Sequence, residues 1–583
     1  MSDESTLLND TDLAETSSDD VTFIEFRTPE AVVEKRTGIY GMFFPTGFTR
    51  EAKEILKLTL PIALTSVITF IMGPVSTLFC GHYSNEALSV VGLGVSVFNV
   101  FGMVFPTGML TACDTFFSQT YGSKDKSRMG IQLQRAFILS LCICVPSYTM
   151  FMMAEPILLV FKQPPRIAKL VDNYLLYMYP GFVAASLVIV FQKFVQAQNH
   201  VYAPLVIGFS SNALNALLHY ILLFRFDVGL KGSAISQSIS YWTMVIAYII
   251  HFFMNKWHKV YWKGFQREAF SDWDKWFALA IPGLIMIGLE WWIFEIGSFI
   301  AGSYGQLQLS SQTIVFQLES IAFTSVPFGF GIAASIRTGQ ALGAGNKDGP
   351  VSTKNVGIVI CLCFTMIFIV LFTFFRNIIP MLFTENQAVI DFTAKILPLL
   401  AVFQFFDAFI GVCGGIVRGA GMQYIGAIVC VVGLYVIALP LAIAMLKLTD
   451  YGIAAYWMSL CTGTAIEGVA YLYLSSKINW QKQVENAAER CKISVIEDHS
   501  NDTQGQKDKR RKTFRRIVIN KILFLIALIA LLIFGIVMKK TLNLRSHFGV
   551  YCLFKNDTYV QIPWYKDSDP MPTIPLNCTL FYP

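Results

Sequence analysis

The sequence predicts an all-α integral membrane protein, built as two pseudo-symmetric six-helix bundles plus a thirteenth transmembrane helix. Three observations predict it. Apolar stretches recur every roughly 30 to 50 residues with no soluble block between them. Only 14% of the 583 residues are charged, whereas a soluble globule must present a wetted surface and runs nearer a quarter. The helix-breaking residues of the first half also return 221 positions later.

In chain order, residues 1–50 are polar and carry nine acidic residues before residue 31 with only Arg27 as a base, which reads as a disordered cytosolic tail with no signal peptide. A spanning helix needs about 20 apolar residues. The first bundle, 51–253, holds expected spans at 55–80, 87–115, 136–161, 174–196, 203–224 and 230–253. A cytosolic linker, 254–275, precedes the second bundle, 276–475, with spans at 276–301, 309–336, 356–383, 394–417, 424–446 and 452–475. A further linker, 476–517, leads to the thirteenth helix, 518–538, and to a C-terminal tail, 539–583.

Basic residues set the direction. Lys124, Lys126 and Arg128, the five bases of 254–275, and the cluster from Lys507 to Arg516 all fall on one side, which is cytosolic if the N-terminus is. The tail then lies outside. Asn556 and Asn577 head glycosylation acceptors there, and Cys552 and Cys578 are able to pair in an oxidising compartment. The remaining Cys sit mainly in apolar runs without His partners, so no metal site is expected. The net charge of +6 is dispersed, which speaks against a nucleic-acid surface.

The repeat is gapless. Pro61, Gly81, Tyr83, Pro106, Gly108, Gln119 and Gly122 map onto Pro282, Gly302, Tyr304, Pro327, Gly329, Gln340 and Gly343. An even number of spans per half gives both halves one orientation, with a central cleft between lobes that rock to give alternating access.

Leu78–His82, Thr111–Gly122 (TACDTFFSQTYG), Leu289–Phe299 (LEWWIFEIGSF), Arg337–Gly345 and Cys413–Gly421 are strings of distinctive composition. Together they resemble the multidrug and toxic-compound extrusion (MATE) family, in particular its animal branch. The resemblance covers about 50–475 and the extra helix. It implies a two-lobed exporter that exchanges small organic cations for protons, works as a monomer in the lipid bilayer of the plasma membrane or a vesicle, and uses no other cofactor. One departure stands out: where animal relatives carry a Tyr-Glu pair in the eighth helix, this chain has Phe316-Gln317.

A charge at mid-bilayer costs about 2.5–3.5 kcal/mol on insertion scales, so each such residue faces a cavity, a partner or a proton. The candidates are Asp114, Glu290, Glu295, Glu319, Asp407 and Glu467, with few bases at matching depth; Arg337 and Arg418 are expected to snorkel at helix ends. Glu290, followed by Trp291 and Trp292, suits a flat cation held by charge and cation–π attraction. Asp407 stands where relatives have Glu. Glu295 is five residues from Glu290, roughly 140° round the helix, and is open between coupling and structural hydrogen bonding. Asp114 is open between function and a local cap, Glu467 is expected to pack, and Glu319 is unassigned. Asn99 is a candidate ligand contact, Phe294 and Phe316 candidate cavity walls, and Gln317 a polar but non-titrating lining. Asn212 and Asn215 are expected to join helices.

A lipid-linked precursor flippase of related fold is the first alternative; it would need bases in the cleft, and the charges here are acidic. Sodium coupling is the second. Enzyme signatures are missing: there is no HExxH, no Walker loop and no nucleophile elbow.

Overall fold

A computed structural model describes residues 47–491, 504–542, 544–554, 558–563 and 578–581. The acceptors Asn556 and Asn577 and the N-terminal tail lie outside the described residues. Helices occupy all of the predicted segments, because a backbone in hydrocarbon must satisfy its own hydrogen bonds. They are α1 (Phe48–Tyr83), α2 (Asn85–Gly122), α3 (Lys126–Met152), α4 (Pro165–Gln196), α5 (Tyr202–Arg225), α6 (Leu230–Met254), α7 (Trp273–Ser303) and α8 (Gln306–Gly343). There follow α9 (Gly349–Phe374), α10 (Gln387–Ala420), α11 (Gln423–Leu448), α12 (Ile453–Ser476), a short α13 (Trp480–Cys491) and α14 (Gln504–Thr541).

Among the described residues, eleven helices are long and apolar enough to cross a membrane. The helices α6 and α12 stand at the sixth and twelfth expected spans, but Ser, Gln and Gly dilute their apolar character and they fall outside that set. The count of thirteen therefore remains an expectation.

The buried apolar side chains form separate cores. One runs from Met72 to Ala280, and two others draw on α7–α13. The first helix of each half crosses between them. Ile55 at the start of α1 is 1% exposed within the core of α8–α13, while Trp276 at the start of α7, its repeat mate, is 1% exposed within the core of α2–α6.

The repeat is visible in the closest contacts between the halves. A Cβ on Gly122 would meet the backbone of Gln340, with its Cα at 2.7 Å; one on Gly343 would meet the backbone of Gln119, with its Cα at 3.1 Å. Gly108 lies in the same way against Leu284, and Gly329 against Ala63. The halves thus meet backbone to backbone at one end of the bundle. Across that seam lies α13: Arg490 donates to the carbonyls of Ala420 and Gly421 at the end of α10 (2.9 and 3.2 Å), and Arg128 of the first half donates to the Cys491 carbonyl.

At the opposite end, α14 docks on the first half. Its Lys539 pairs with Asp172 of α4 at 2.5 Å, and Gly535 lies against Thr149 of α3. The tail beyond it contains a small antiparallel sheet not anticipated from the sequence: β1 (Val550–Phe554), β2 (Tyr559–Ile562) and β3 (Cys578–Phe581), in the order β2-β1-β3. A disulfide joins Cys552 to Cys578 across β1 and β3, and the Tyr559 hydroxyl donates to the Lys162 carbonyl at 2.9 Å.

The mirrored glycines make a testable pair. Gly122→Ala and Gly343→Ala should each lower stability by about 1–3 kcal/mol, read as a fall in the thermal midpoint of the detergent-solubilised protein. Gly302→Ala, whose new Cβ meets nothing within 4 Å, should leave the midpoint unchanged.

Candidate functional site

Four helices of the second half each bring a carboxylate into its interior: Glu290 from α7, Glu319 from α8, Asp407 from α10 and Glu467 from α12. Glu319 and Asp407 are each 5% exposed and Glu467 1%. Asp407 is within electrostatic reach of the other three. The supporting helices are irregular here. A π-helical stretch, Val431–Ala438, interrupts the α-helical ladder of α11, and Gly433 and Gly463 let α11 and α12 approach backbone to backbone beside Glu467. The Tyr435 hydroxyl donates to the Leu289 carbonyl at 3.0 Å, and that of Tyr456 to the Ile293 carbonyl, so α7 is held on both sides of Glu290.

Hydrogen bonding does not satisfy these acids. Among the described residues, Glu290 Oε1, Asp407 Oδ2 and Glu467 Oε1 are buried and find no partner, and the same holds for both amide atoms of Gln404. Glu319 accepts from Ser320 at 3.4 Å. Carboxylate oxygens of Glu290 and Glu467 and the Cys430 sulfur lie within 4.8 Å of one another, close enough for one small cation to touch all three.

A base stands nearby, but it is already engaged. Arg418 does not snorkel as expected: it is 8% exposed, and its Nε lies 3.7 Å from Asp114 Oδ2 of the opposite half. Its Nη1 shares the niche at Gly414 with Met286, one turn before Glu290. Asp114 in turn accepts from Lys193 of α4 at 2.5 Å, so it is part of a largely enclosed ion cluster rather than a local cap. Arg337 also pairs across the seam, donating twice to Glu51 (2.7 and 2.5 Å). Both arginines depart from expectation for one reason: an acid of the other half reaches them at the seam.

The remaining candidates sit around this interior. Phe294 stacks on Phe316 (5.2 Å, 17°) and meets Phe403 and Trp457 edge-on or tilted, making an aromatic wall. Trp291, Glu295 and Gln317 are half-buried and Asn99 is exposed. Asn99 lies in a π-helical stretch of α2, Phe98–Met103, whose Val100 carbonyl faces Trp292 Nε1 at 3.5 Å. Asn212 joins α5 to α1 through the Ile68 carbonyl at 2.7 Å. Glu467, expected to pack, and Glu319, unassigned, belong with Glu290 and Asp407. Spacing along single helices carried no sign of that convergence. A groove of about 600 Å³ between α1 and α5, lined by Lys53, Lys57 and apolar residues, contains none of these acids.

The MatE family model matches the chain twice, over residues 61–221 and 282–444, beginning at the prolines that open the repeat. The chain belongs to the MATE family of multidrug and toxin extrusion transporters. It is 33% identical over 467 residues to multidrug and toxin extrusion protein 1 of Homo sapiens, covering 80% of this chain and 81% of that protein. It is 34% identical over 462 residues to multidrug and toxin extrusion protein 2 of Mus musculus, covering 79% and 80%. The crystal structure of the eukaryotic MATE transporter AtDTX14 superposes with a TM-score of 0.73 at 25% identity, covering 76% of this chain and all of that one. This MATE protein is therefore a multi-pass membrane transporter.

The ion cluster at the seam predicts a graded response. Asp114→Ala leaves half-buried Lys193 and buried Arg418 as neighbouring unpaired cations and should destabilise the protein by about 3 kcal/mol, seen in its thermal midpoint. Lys193→Met, which leaves one acid facing one base, should cost less.

Proposed function

We propose that this MATE protein exports small organic cations in exchange for protons, by alternating access, with Glu290 as the site where proton and cation compete. The observation that carries the reading is the interior of the second half. Four carboxylates converge there, three with a buried oxygen lacking any hydrogen-bond partner, and the neighbouring base is engaged by Asp114. A buried carboxylate is tolerated when neutralised, and either a proton or an organic cation can do this. Of the four residues Glu290 alone is half-buried, although its Oε1 is buried, and Trp291 follows it directly.

On this reading Asp407 supports the same exchange from α10, and the wall of Phe294 and Phe316 offers faces to a flat cation. Asn99 and Gln317 add polarity, and Glu295 stands further along α7. Proton binding from one side expels the cation there; deprotonation on the other readies the site. Exchange of one proton for one monovalent cation is electroneutral, so a pH gradient drives it with about 1.4 kcal/mol per unit.

The orientation we propose puts the N-terminus and the closed, glycine-lined seam in the cytosol and the disulfide-bearing sheet outside, in the plasma membrane or a vesicle, with the monomer as the functional unit. A lipid-pyrophosphate flippase is disfavoured by an acidic interior. Sodium is also disfavoured, because the third donor near Glu290 and Glu467 is a thiol, a poor match for a hard cation.

Glu290→Gln mimics the protonated state permanently. In proteoliposomes it should lose uptake of a fluorescent cation at every pH after an imposed pH jump, while Glu290→Asp retains part of it. Near-normal, pH-dependent transport by Glu290→Gln would move the coupling site elsewhere. Since Gln317 does not titrate, Gln317→Ala should change the KM for the cation and leave the pH optimum in place.

A further inference from the structure

Glu467 is the carboxylate that this exchange scheme leaves without a role. It is wedged beside Gly433 where α11 and α12 touch, its Oε1 has no hydrogen-bond partner, and an oxygen of it lies within 4.8 Å of one of Glu290. Packing alone does not account for it. Glutamine has the same shape and would bring donors to a place where acceptors stand unsatisfied.

We propose that Glu467 and Glu290 hold one proton between them, so that Glu467 is the positioning residue that sets the pH at which Glu290 trades its proton for a cation. This rests on the reading of Glu290 given above. Two charged groups reach the pair electrostatically, Arg418 and Asp407, but no neighbour hydrogen-bonds it. From α10 come Asp407 and Arg418, the latter drawn to Asp114 of α2. From α8 comes Glu319, bonded to Ser320. From α11, Cys430 points its sulfur at the Met286 carbonyl (3.7 Å) and Tyr435 donates to the Leu289 carbonyl. From α12, the Tyr471 hydroxyl faces the Met286 sulfur at 3.9 Å and Tyr456 donates to the Ile293 carbonyl. None of these donates to either carboxylate. Two like charges this close do not both ionise readily, and the pair retains a proton that a lone carboxylate would release.

In the exchange, the O–H bond of the shared carboxyl breaks, the proton leaves to water, and the organic cation takes its place. With the proton bound the pair bears one net negative charge; without it the two carboxylates bear two, and the bound cation brings the site back to one.

The test uses the full chain in proteoliposomes, with uptake of a radiolabelled quaternary ammonium followed across a pH series. Removing the like charge weakens proton binding at Glu290. Glu467→Gln should therefore move the midpoint of the pH profile to the acid side by about one unit, while Glu467→Asp keeps the wild-type midpoint. Glu467→Met, apolar and of similar length, replaces Glu467→Gln should that protein fail to accumulate. An unmoved midpoint overturns the pair, and so does loss of uptake at every pH with normal membrane abundance. Glu290→Gln in parallel separates the two failures. Normal transport by it overturns both the reading of Glu290 and the pair; an inactive Glu290→Gln beside an unmoved Glu467→Gln profile overturns the pair alone.

Discussion

Ionised groups taken out of water need counter-charges, and in the second half of this protein the supply falls short. Glu290, Glu319, Asp407 and Glu467 converge from four helices, while Arg418 is shared with Asp114 across the seam. The surrounding architecture follows from keeping that shortage stable. Tyr435 and Tyr456 pin α7 from two sides, glycines bring α11 and α12 together around Glu467, and Lys193 takes up the acid that Arg418 alone would only half satisfy. On the function proposed above, the missing positive charge is supplied by the proton or the transported cation.

The duplication distributes mechanics evenly and chemistry unevenly. Glycines at mirrored positions supply the contact between halves, Gly122 with Gln340 and Gly343 with Gln119. The repeat mates of Glu290 and Glu319, however, are Thr69 and Phe98. The first half offers the same scaffold without the acids. Its half-buried Asp114 is tied to Lys193 and Arg418 and so belongs to the seam.

Much of this was legible in the sequence for identifiable reasons. Long apolar runs leave a bilayer-spanning backbone little choice but helix, and a gapless offset exposed the two halves. Glu290 and Asp407 stood out because mid-span acids are costly. The partners of the charges were hidden, because pairing across the seam depends on how two distant helices cross. Arg418 and Arg337 therefore looked like end-of-helix bases when each meets an acid of the other half. Glu467 looked like packing because small residues precede it on its own helix; the helix opposite, with Gly433 and Cys430, gives it its meaning. The tail sheet was masked by brevity, with strands of four or five residues among polar ones.

The exchanged helix starts restrict how the lobes can part. Ile55 anchors the beginning of α1 in the far half, and Trp276 anchors the beginning of α7 in the near one. Clean rigid-body separation would tear both anchors out of their cores. The softer route is to flex the two crossing helices beyond the anchors, and each carries a proline six residues on, Pro61 and Pro282. A proline lacks the N–H that would close the turn behind it, so bending there breaks no hydrogen bond. Each lobe is leashed to its neighbour by a helix with a weak joint, and under the alternating-access scheme proposed above the travel of those joints would bound how far the lobes part.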